Sequence, residues 1–274
     1  ENMKLRELSK DIDVLACTPA SERDITAICY DSRKAEPGCL FVAVSGFAAD
    51  GNRFIPMALE KGAVAVVTAK APEGAVPHIL VASDRLALAL LGCNFYGNPA
   101  ASMTMIGIAG TNGKTSSTLL LKQVLEKTLG AKVGLVGTMA NMIGQEVIPT
   151  ERTTPESLDL QALFARMREG DCTHVVMEVS SHALDQNRVA GIEFDTAVFT
   201  NLTQDHLDDH KTLENYNKAK TILFDLVSQP GVKNGKTAVV NIDDAAGQDM
   251  LSHARCRHMT YAIHQDAVLK AENI

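Results

Sequence analysis

Short runs of β-branched and apolar residues alternate with helix-period segments along nearly the whole chain, and this alternation limits the fold more than any other feature. Strand-like runs fall at 39–44, 63–69, 78–82, 104–109, 133–136, 174–179, 196–201 and 238–242. Helical patterns lie between them, as at 84–96, at 116–129 before Gly130 and at 156–169 before Gly170. A glycine just past the last helical residue is a common stop signal. Strands separated by helices build right-handed βαβ units and a mostly parallel sheet. The fold class is therefore α/β. Gly97-Asn98-Pro99-Ala100-Ala101-Ser102 is a breaker-rich stretch between a helix and a strand. It predicts a boundary near residue 99, with a small α/β domain over 1–99 and a mostly parallel sheet domain over 100–274.

The 274 residues are 46% apolar and 22% charged, enough for packed cores and too apolar for a disordered chain. A formal charge of −7 argues against a nucleic-acid or anionic-membrane surface, both of which call for clustered basic charge. No run approaches the roughly 20 apolar residues that cross a bilayer. The start, Glu1-Asn2-Met3-Lys4, has no apolar segment of the signal-peptide kind. The six cysteines are scattered without a C-x-x-C pair, as expected of reduced thiols in a cytoplasmic protein.

The chemistry begins after the strand at 104–109. Gly110-Thr111-Asn112-Gly113-Lys114-Thr115-Ser116 leads directly into a helix. Glycines let backbone N–H groups close around phosphates, and the helix N-terminus adds a positive dipole. Lys114 is placed to reach the β- and γ-phosphates, and the Thr115 hydroxyl to ligate Mg²⁺. The strict G-x-x-x-x-G-K-[ST] pattern fails, because position 108 is Ile and the glycines fall at 107, 110 and 113. A glycine-rich turn that merely caps a helix is the bland alternative.

Three further clusters sit at or just past strand ends, where open α/β sheets bind ligands. They are Glu178-Val179-Ser180-Ser181-His182, the run from Thr200 through His206 to Asp208, and Tyr216-Asn217-Lys218-Ala219-Lys220 on a helix expected to begin near Thr212. A carboxylate and a neutral imidazole beside a phosphate loop suit Mg²⁺, which takes few protein ligands and fills its octahedron with phosphate and water. Taken singly, Glu178 also reads as a paired structural carboxylate and Lys220 as a solvated helix lysine. His206 and His210, four apart, also have zinc-pair spacing.

These runs, with Thr153-Thr154-Pro155-Glu156 and the N-terminal Tyr30-Asp31-Ser32-Arg33-Lys34, Gly38-Cys39-Leu40-Phe41-Val42-Ala43, Gly46 and Asp50-Gly51, closely resemble the Mur ligases. Within that family they are most like the enzymes that extend a UDP-N-acetylmuramoyl-dipeptide. MurF shares much of the N-terminal pattern, and folylpolyglutamate synthetases share only the phosphate loop. Arg152 stands where the family pattern carries Asn.

The resemblance implies that ATP phosphorylates the free carboxylate of UDP-MurNAc-L-Ala-D-Glu and that an amino-acid amine then attacks the acyl phosphate. It implies an N-terminal domain that binds the UDP-muramyl substrate, with Ser32 at the uridine-diphosphate end. It places Thr153, Thr154, Ser181, Gln186 and Arg188 around the muramyl peptide. Gly110, Thr111, Asn112, Gly113, Lys114, Thr115 and Ser116 bind ATP. Thr115, Glu178, His206 and Lys220 hold Mg²⁺, with Lys220 carbamylated by CO₂, and Lys114, Glu178, His206 and Lys220 carry the catalysis. It also implies a monomer and a third, C-terminal domain beyond these residues, which selects the amino acid. Both meso-diaminopimelate and L-lysine stay open, with meso-diaminopimelate preferred. The expectation is that these 274 residues alone are inactive. The competing readings are a P-loop kinase or NTPase, a module that only binds a UDP-sugar or nucleotide, and another Mur ligase such as MurF.

Overall fold

The computed structural model describes residues 2–20, 22–46, 49–203 and 213–273. The chain divides into two compact units, Glu1–Asn98 with Ser157–Ala162, and Pro99–Glu156 with Leu163–Ile274.

The first unit is built on a five-stranded sheet of β1 (Val14–Cys17), β2 (Ala27–Cys29), β3 (Cys39–Ala43), β4 (Ala65–Thr68) and β5 (His78–Val81). Its order is β1-β5-β4-β3-β2, parallel except for β1. All five residues of β3 are buried, and the strand shows why a continuous apolar run need not be a helix. Leu40 and Val42 join a core with α1 (Leu5–Leu8) and with Leu88 and Leu91 of α3 (Asp84–Phe95). Cys39, Phe41 and Ala43 point the other way, to Ile55 and Ala58 of α2 (Ile55–Glu60). A strand covered on both faces has no side for polar residues. Ser83 caps α3, its hydroxyl accepting from the Leu86 N–H at 3.2 Å.

The second unit carries nine strands: β6 (Thr104–Ala109), β7 (Val133–Val136), β8 (Asn141–Ile143), β9 (Glu146–Ile148), β10 (His174–Glu178), β11 (Thr196–Phe199), β12 (Thr237–Asn241), β13 (Arg257–Ala262) and β14 (Leu269–Lys270). The order is β9-β8-β7-β10-β6-β11-β12-β13-β14. All neighbours are parallel except in the β7-β8-β9 edge, which is antiparallel. The α/β class and the mostly parallel larger sheet stand as the sequence predicts.

Register sets the site. Glu178 of β10 pairs with Ile108 of β6, Phe199 of β11 with Ala109, and Met177 with Val136 of β7. The carboxyl ends of four strands therefore finish level, and the segments that follow them converge at one edge. From β6 the chain passes through α4 (Lys114–Leu129) to β7, whereas from β10 it passes α6 (Ser181–Asp185) to β11 on the far side of β6. Connections that leave adjacent strands in opposite directions open a crevice between them. Ile106 and Ile108 pack with Val133, Leu135 and Val176 beneath Leu121 and Leu125 of α4, which seats that helix against the sheet.

The helix at 116–129 starts two residues earlier, at Lys114, and ends at Gly130 in a left-handed conformation with φ +62°. The other glycine stop works differently. Gly170 after α5 (Ser157–Glu169) keeps φ −84°, and the left-handed residue is Asp171 at φ +61°. A helix over Leu213–Val227 (α7) carries Tyr216 and Lys220. His206 and His210, and the expected helix start at Thr212, lie outside the described residues.

Candidate active site

The crevice at the ends of β6 and β10 is a cleft of about 460 Å³ lined by Gly110 through Ser116, Thr138, Thr153, Glu178, Ser180, Ser181, His182, Tyr216 and Lys220. Thr153, Ser181 and the lysine of the third cluster are thus gathered around the phosphate loop. Ser32 belongs to the other compact unit.

The loop needs glycine at two places for different reasons. Gly110 has φ +153°, and a Cβ there would fall 1.8 Å from Thr200 Oγ1. Gly113 precedes α4 with φ +87°, open to any side chain sterically but strained for all except glycine. Neighbouring strand ends hold the loop in shape. The Thr111 N–H donates to Asn201 O at 2.9 Å, the Asn112 N–H to Asn201 Oδ1 at 2.9 Å, and the Thr200 hydroxyl to Asn112 O at 2.7 Å. Lys114 Nζ folds back onto Gly110 O at 2.7 Å and Thr111 O at 3.0 Å. Burial lowers its pKa, against the pull of Glu178.

Glu178 ends β10 with 1% of its surface exposed. Its carboxylate accepts from the Thr115 hydroxyl at 3.0 Å, the Thr138 N–H at 2.9 Å and the Thr138 hydroxyl at 3.0 Å. Octahedral Mg²⁺ with ligands at about 2.0–2.1 Å sets adjacent oxygens roughly 2.9 Å apart. Thr115 Oγ1 and Glu178 Oε2, 3.0 Å apart, fit two adjacent positions. Among the described residues no group of three or more His, Cys, Asp and Glu gathers as a metal site.

Lys220 is 2% exposed and projects from α7, its Nζ 3.6 Å from the Tyr216 ring centroid. Burial, and secondarily the charge of Lys114, lowers its pKa to about 7. The Tyr216 hydroxyl donates to Thr111 Oγ1 at 3.3 Å, tying this helix to the phosphate loop.

The Thr153-Thr154 pair divides its work. Thr153 Oγ1 lies 3.0 Å from Thr138 Oγ1 and lines the cleft. Thr154 is fully buried, donating to Glu178 O at 2.9 Å and accepting from the Ser180 N–H at 3.2 Å. Arg188 donates to Thr154 O at 2.9 Å and Gln186 Oε1 at 2.7 Å, and pairs with Glu156 at 3.4 Å. Arg152 binds the same Glu156 oxygen at 2.7 Å. Thr154, Gln186 and Arg188 thus brace the wall behind Glu178. Thr138 escaped the sequence reading because it lies in no motif. Its place just past β7, at a parallel strand end, was the available signal.

In the first unit, Asp31 caps a 3₁₀ turn over Ser32–Lys34, accepting from the Arg33 N–H at 2.9 Å. The Arg33 guanidinium on its carboxylate holds the Asp31 pKa down to about 2. Ser32 is buried inside this turn, its hydroxyl 3.3 Å from Met57 Sδ.

A strand-end crevice, a glycine loop opening a helix, and a threonine and carboxylate spaced for one divalent cation define a phosphate-loop α/β protein. Residues 108–274 match the Mur ligase middle domain, and residues 24–96 the catalytic domain of the Mur ligase family. The chain belongs to the Mur ligase family and resembles its MurE type. It is 47% identical over 259 residues to the UDP-N-acetylmuramoyl-L-alanyl-D-glutamate–2,6-diaminopimelate ligase of Clostridium botulinum (strain ATCC 19397 / Type A), covering 93% of this chain and 52% of that one. The enzyme of the same name from Caldanaerobacter subterraneus subsp. tengcongensis is 49% identical over 253 residues, covering 92% and 51%. A solved structure of a ligase of that name superimposes with a TM-score of 0.82 at 27% identity, over 97% of this chain and 53% of its own. The chain spans about half the length of the curated relatives it matches.

Proposed function

We propose that the chain is the substrate- and nucleotide-binding part of a ligase that adds meso-diaminopimelate, or L-lysine, to UDP-MurNAc-L-Ala-D-Glu, forming ADP and phosphate. Residues 1–99 bind the UDP-muramyl substrate, with Ser32 at the uridine-diphosphate end, and residues 100–274 bind ATP. The observation that carries the reading is the 3.0 Å approach of Thr115 Oγ1 to Glu178 Oε2 beside the phosphate loop.

A carboxylate is a poor electrophile. Transfer of the ATP γ-phosphoryl group to the dipeptide carboxylate releases ADP and gives an acyl phosphate; attack by the amine then forms the amide and expels phosphate. Two anions must approach each other for the first step, so cations have to sit between them. Bound Mg²⁺ supplies charge neutralisation at the phosphates. Thr115 and Glu178 would hold it, with His206 as a further ligand. Lys114 leaves its resting contacts with Gly110 O and Thr111 O to reach the β- and γ-phosphates. The Gly110–Ser116 loop presents N–H groups to the same oxygens. Thr153, Thr154, Ser181, Gln186 and Arg188 surround the muramyl peptide, and the bonds among Thr154, Gln186 and Arg188 also keep that wall in place.

Lys220 fits the carbamate role. A neutral amine can add to CO₂ with loss of a proton, and the anionic carbamate so formed would supply an oxygen ligand for the metal; a pKa near 7 makes the neutral amine available. The reading places the protein in the cytoplasm as a monomer; among the described residues no helix is long and apolar enough to cross a membrane.

Calorimetric titration with UDP-MurNAc-L-Ala-D-Glu tests the assignment. Saturable one-to-one binding is expected, weakened by Ser32→Ala and Thr153→Val. A folded sample that binds ATP but gives no heat with the dipeptide overturns it.

A further inference from the structure

Thr138 touches both Glu178 and Thr153, and its bonds have a direction. Three donors rest on the Glu178 carboxylate, two of them from Thr138 and the third from Thr115. A carboxylate offers about four acceptor directions, two on each oxygen. The Oε2 direction filled by the Thr115 proton is the one a cation would take once the Thr115 hydroxyl turns its own lone pair to the metal, on a side chain that the two Thr138 bonds keep from turning. The other side is equally close, since a Cβ on Gly137 would come within 2.6 Å of Glu178 Oε1. A hydroxyl has one proton to give. That of Thr138 goes to Glu178, so Thr153 is the donor in the 3.0 Å contact between the two threonines. The order is Thr153 to Thr138 to Glu178.

We propose that Thr138 is a positioning residue for the metal: it fixes the Glu178 carboxylate in its cation-ready orientation, with Thr153 holding Thr138 in turn. This rests on the reading of Glu178 as a Mg²⁺ ligand. Groups that orient metal ligands govern affinity without touching the ion, and their loss costs about 10- to 100-fold. Val in place of Thr138 keeps the shape and the N–H bond to Oε1 but removes the hydroxyl bond to Oε2. The carboxylate is then free to swing its second oxygen away from Thr115.

The test is a Mg²⁺ titration of the 274-residue protein saturated with AMP-PNP, followed by calorimetry, beside an AMP-PNP titration in EDTA. T138V should weaken Mg²⁺ about 10-fold and leave metal-free AMP-PNP affinity unchanged. T138S should restore Mg²⁺ affinity, and T153V should weaken it less than T138V does. Wild-type Mg²⁺ affinity in T138V overturns the proposal, as does a T138S variant as weak as T138V. If T138V does not fold, T153V decides, and an unchanged Mg²⁺ affinity there overturns the relay. E178Q separates this inference from the reading beneath it. If E178Q leaves Mg²⁺ affinity intact, the metal site itself is wrong; if E178Q loses it while T138V keeps it, only the role of Thr138 falls.

Discussion

Lys220 shows how far one side chain can be moved from its ordinary behaviour. Burial favours the neutral amine, and the charge of Lys114 pushes the same way. The Tyr216 ring face at 3.6 Å favours the ammonium, but desolvation wins and the pKa settles near 7. The unfolded value is about 10.4. Below pH 7 both states carry the proton, and the folded protein bears the whole cost of a buried charge. Between pH 7 and about 10.4 only the unfolded chain binds the proton, so stability rises with pH across that window. Each pH unit is worth at most about 1.4 kcal/mol, a few kcal/mol in all. Lys220→Met removes the titrating group. In CO₂-depleted buffer, thermal melts from pH 6 to 9 should show the wild type gaining on Lys220→Met as pH rises. Parallel pH profiles for the two proteins would mean that Lys220 is not the buried titrating lysine.

At the scale of elements, the strand–loop–helix unit around Gly110–Ser116 was legible because apolar run, glycine spacing and helix periodicity all point the same way. Its two helix-flanking glycines now separate by context. Gly110→Ala must displace Thr200, whose Oγ1 would lie 1.8 Å from the new Cβ, and this breaks a hydroxyl contact that shapes the loop. Gly130→Ala meets nothing within 4 Å and bears only its φ of +62°, a cost of about 1 kcal/mol. AMP-PNP titrations should therefore show lost binding for Gly110→Ala and wild-type affinity for Gly130→Ala. Denaturant melts should show only the small deficit for Gly130→Ala. Loss of nucleotide binding in both would mean that the whole helix, rather than the loop, controls the site. Other elements were not legible. The hairpin of β8 and β9 has strands of three residues each around a two-residue turn at Gly144, too short for an alternation pattern to register. Strand β13 begins with exposed Arg257 and His258, so its apolar signal is confined to one end. Burial was equally hidden: periodicity does not show that a helix lysine points inward at a phosphate loop, and only the family pattern singled out Lys220.

At the scale of the whole molecule, the residues fall into two chemical jobs that do not add up to a third. The family match accounts for 24–96 and 108–274, and under the proposed function the cleft supplies groups for phosphate, metal and an acceptor wall. Ligation also requires an amine to reach the acyl phosphate before water does. That demands a bound, oriented nucleophile and a site closed to solvent, since orientation alone is worth on the order of 7–11 kcal/mol of barrier. Relatives of this chain are about twice as long as the portion matched, so the described residues correspond to only part of what those enzymes bring to the reaction. The prediction is an uncoupling of binding from turnover. The 274-residue polypeptide is expected to bind Mg²⁺·ATP and UDP-MurNAc-L-Ala-D-Glu. Incubated with both and with meso-diaminopimelate or L-lysine, it forms no tripeptide. Chromatography of the reaction for ADP and for the UDP-linked product checks this. Stoichiometric ADP and tripeptide would place the amine site within these residues; slow ADP release with no tripeptide would show that activation proceeds here and that water takes the acyl phosphate.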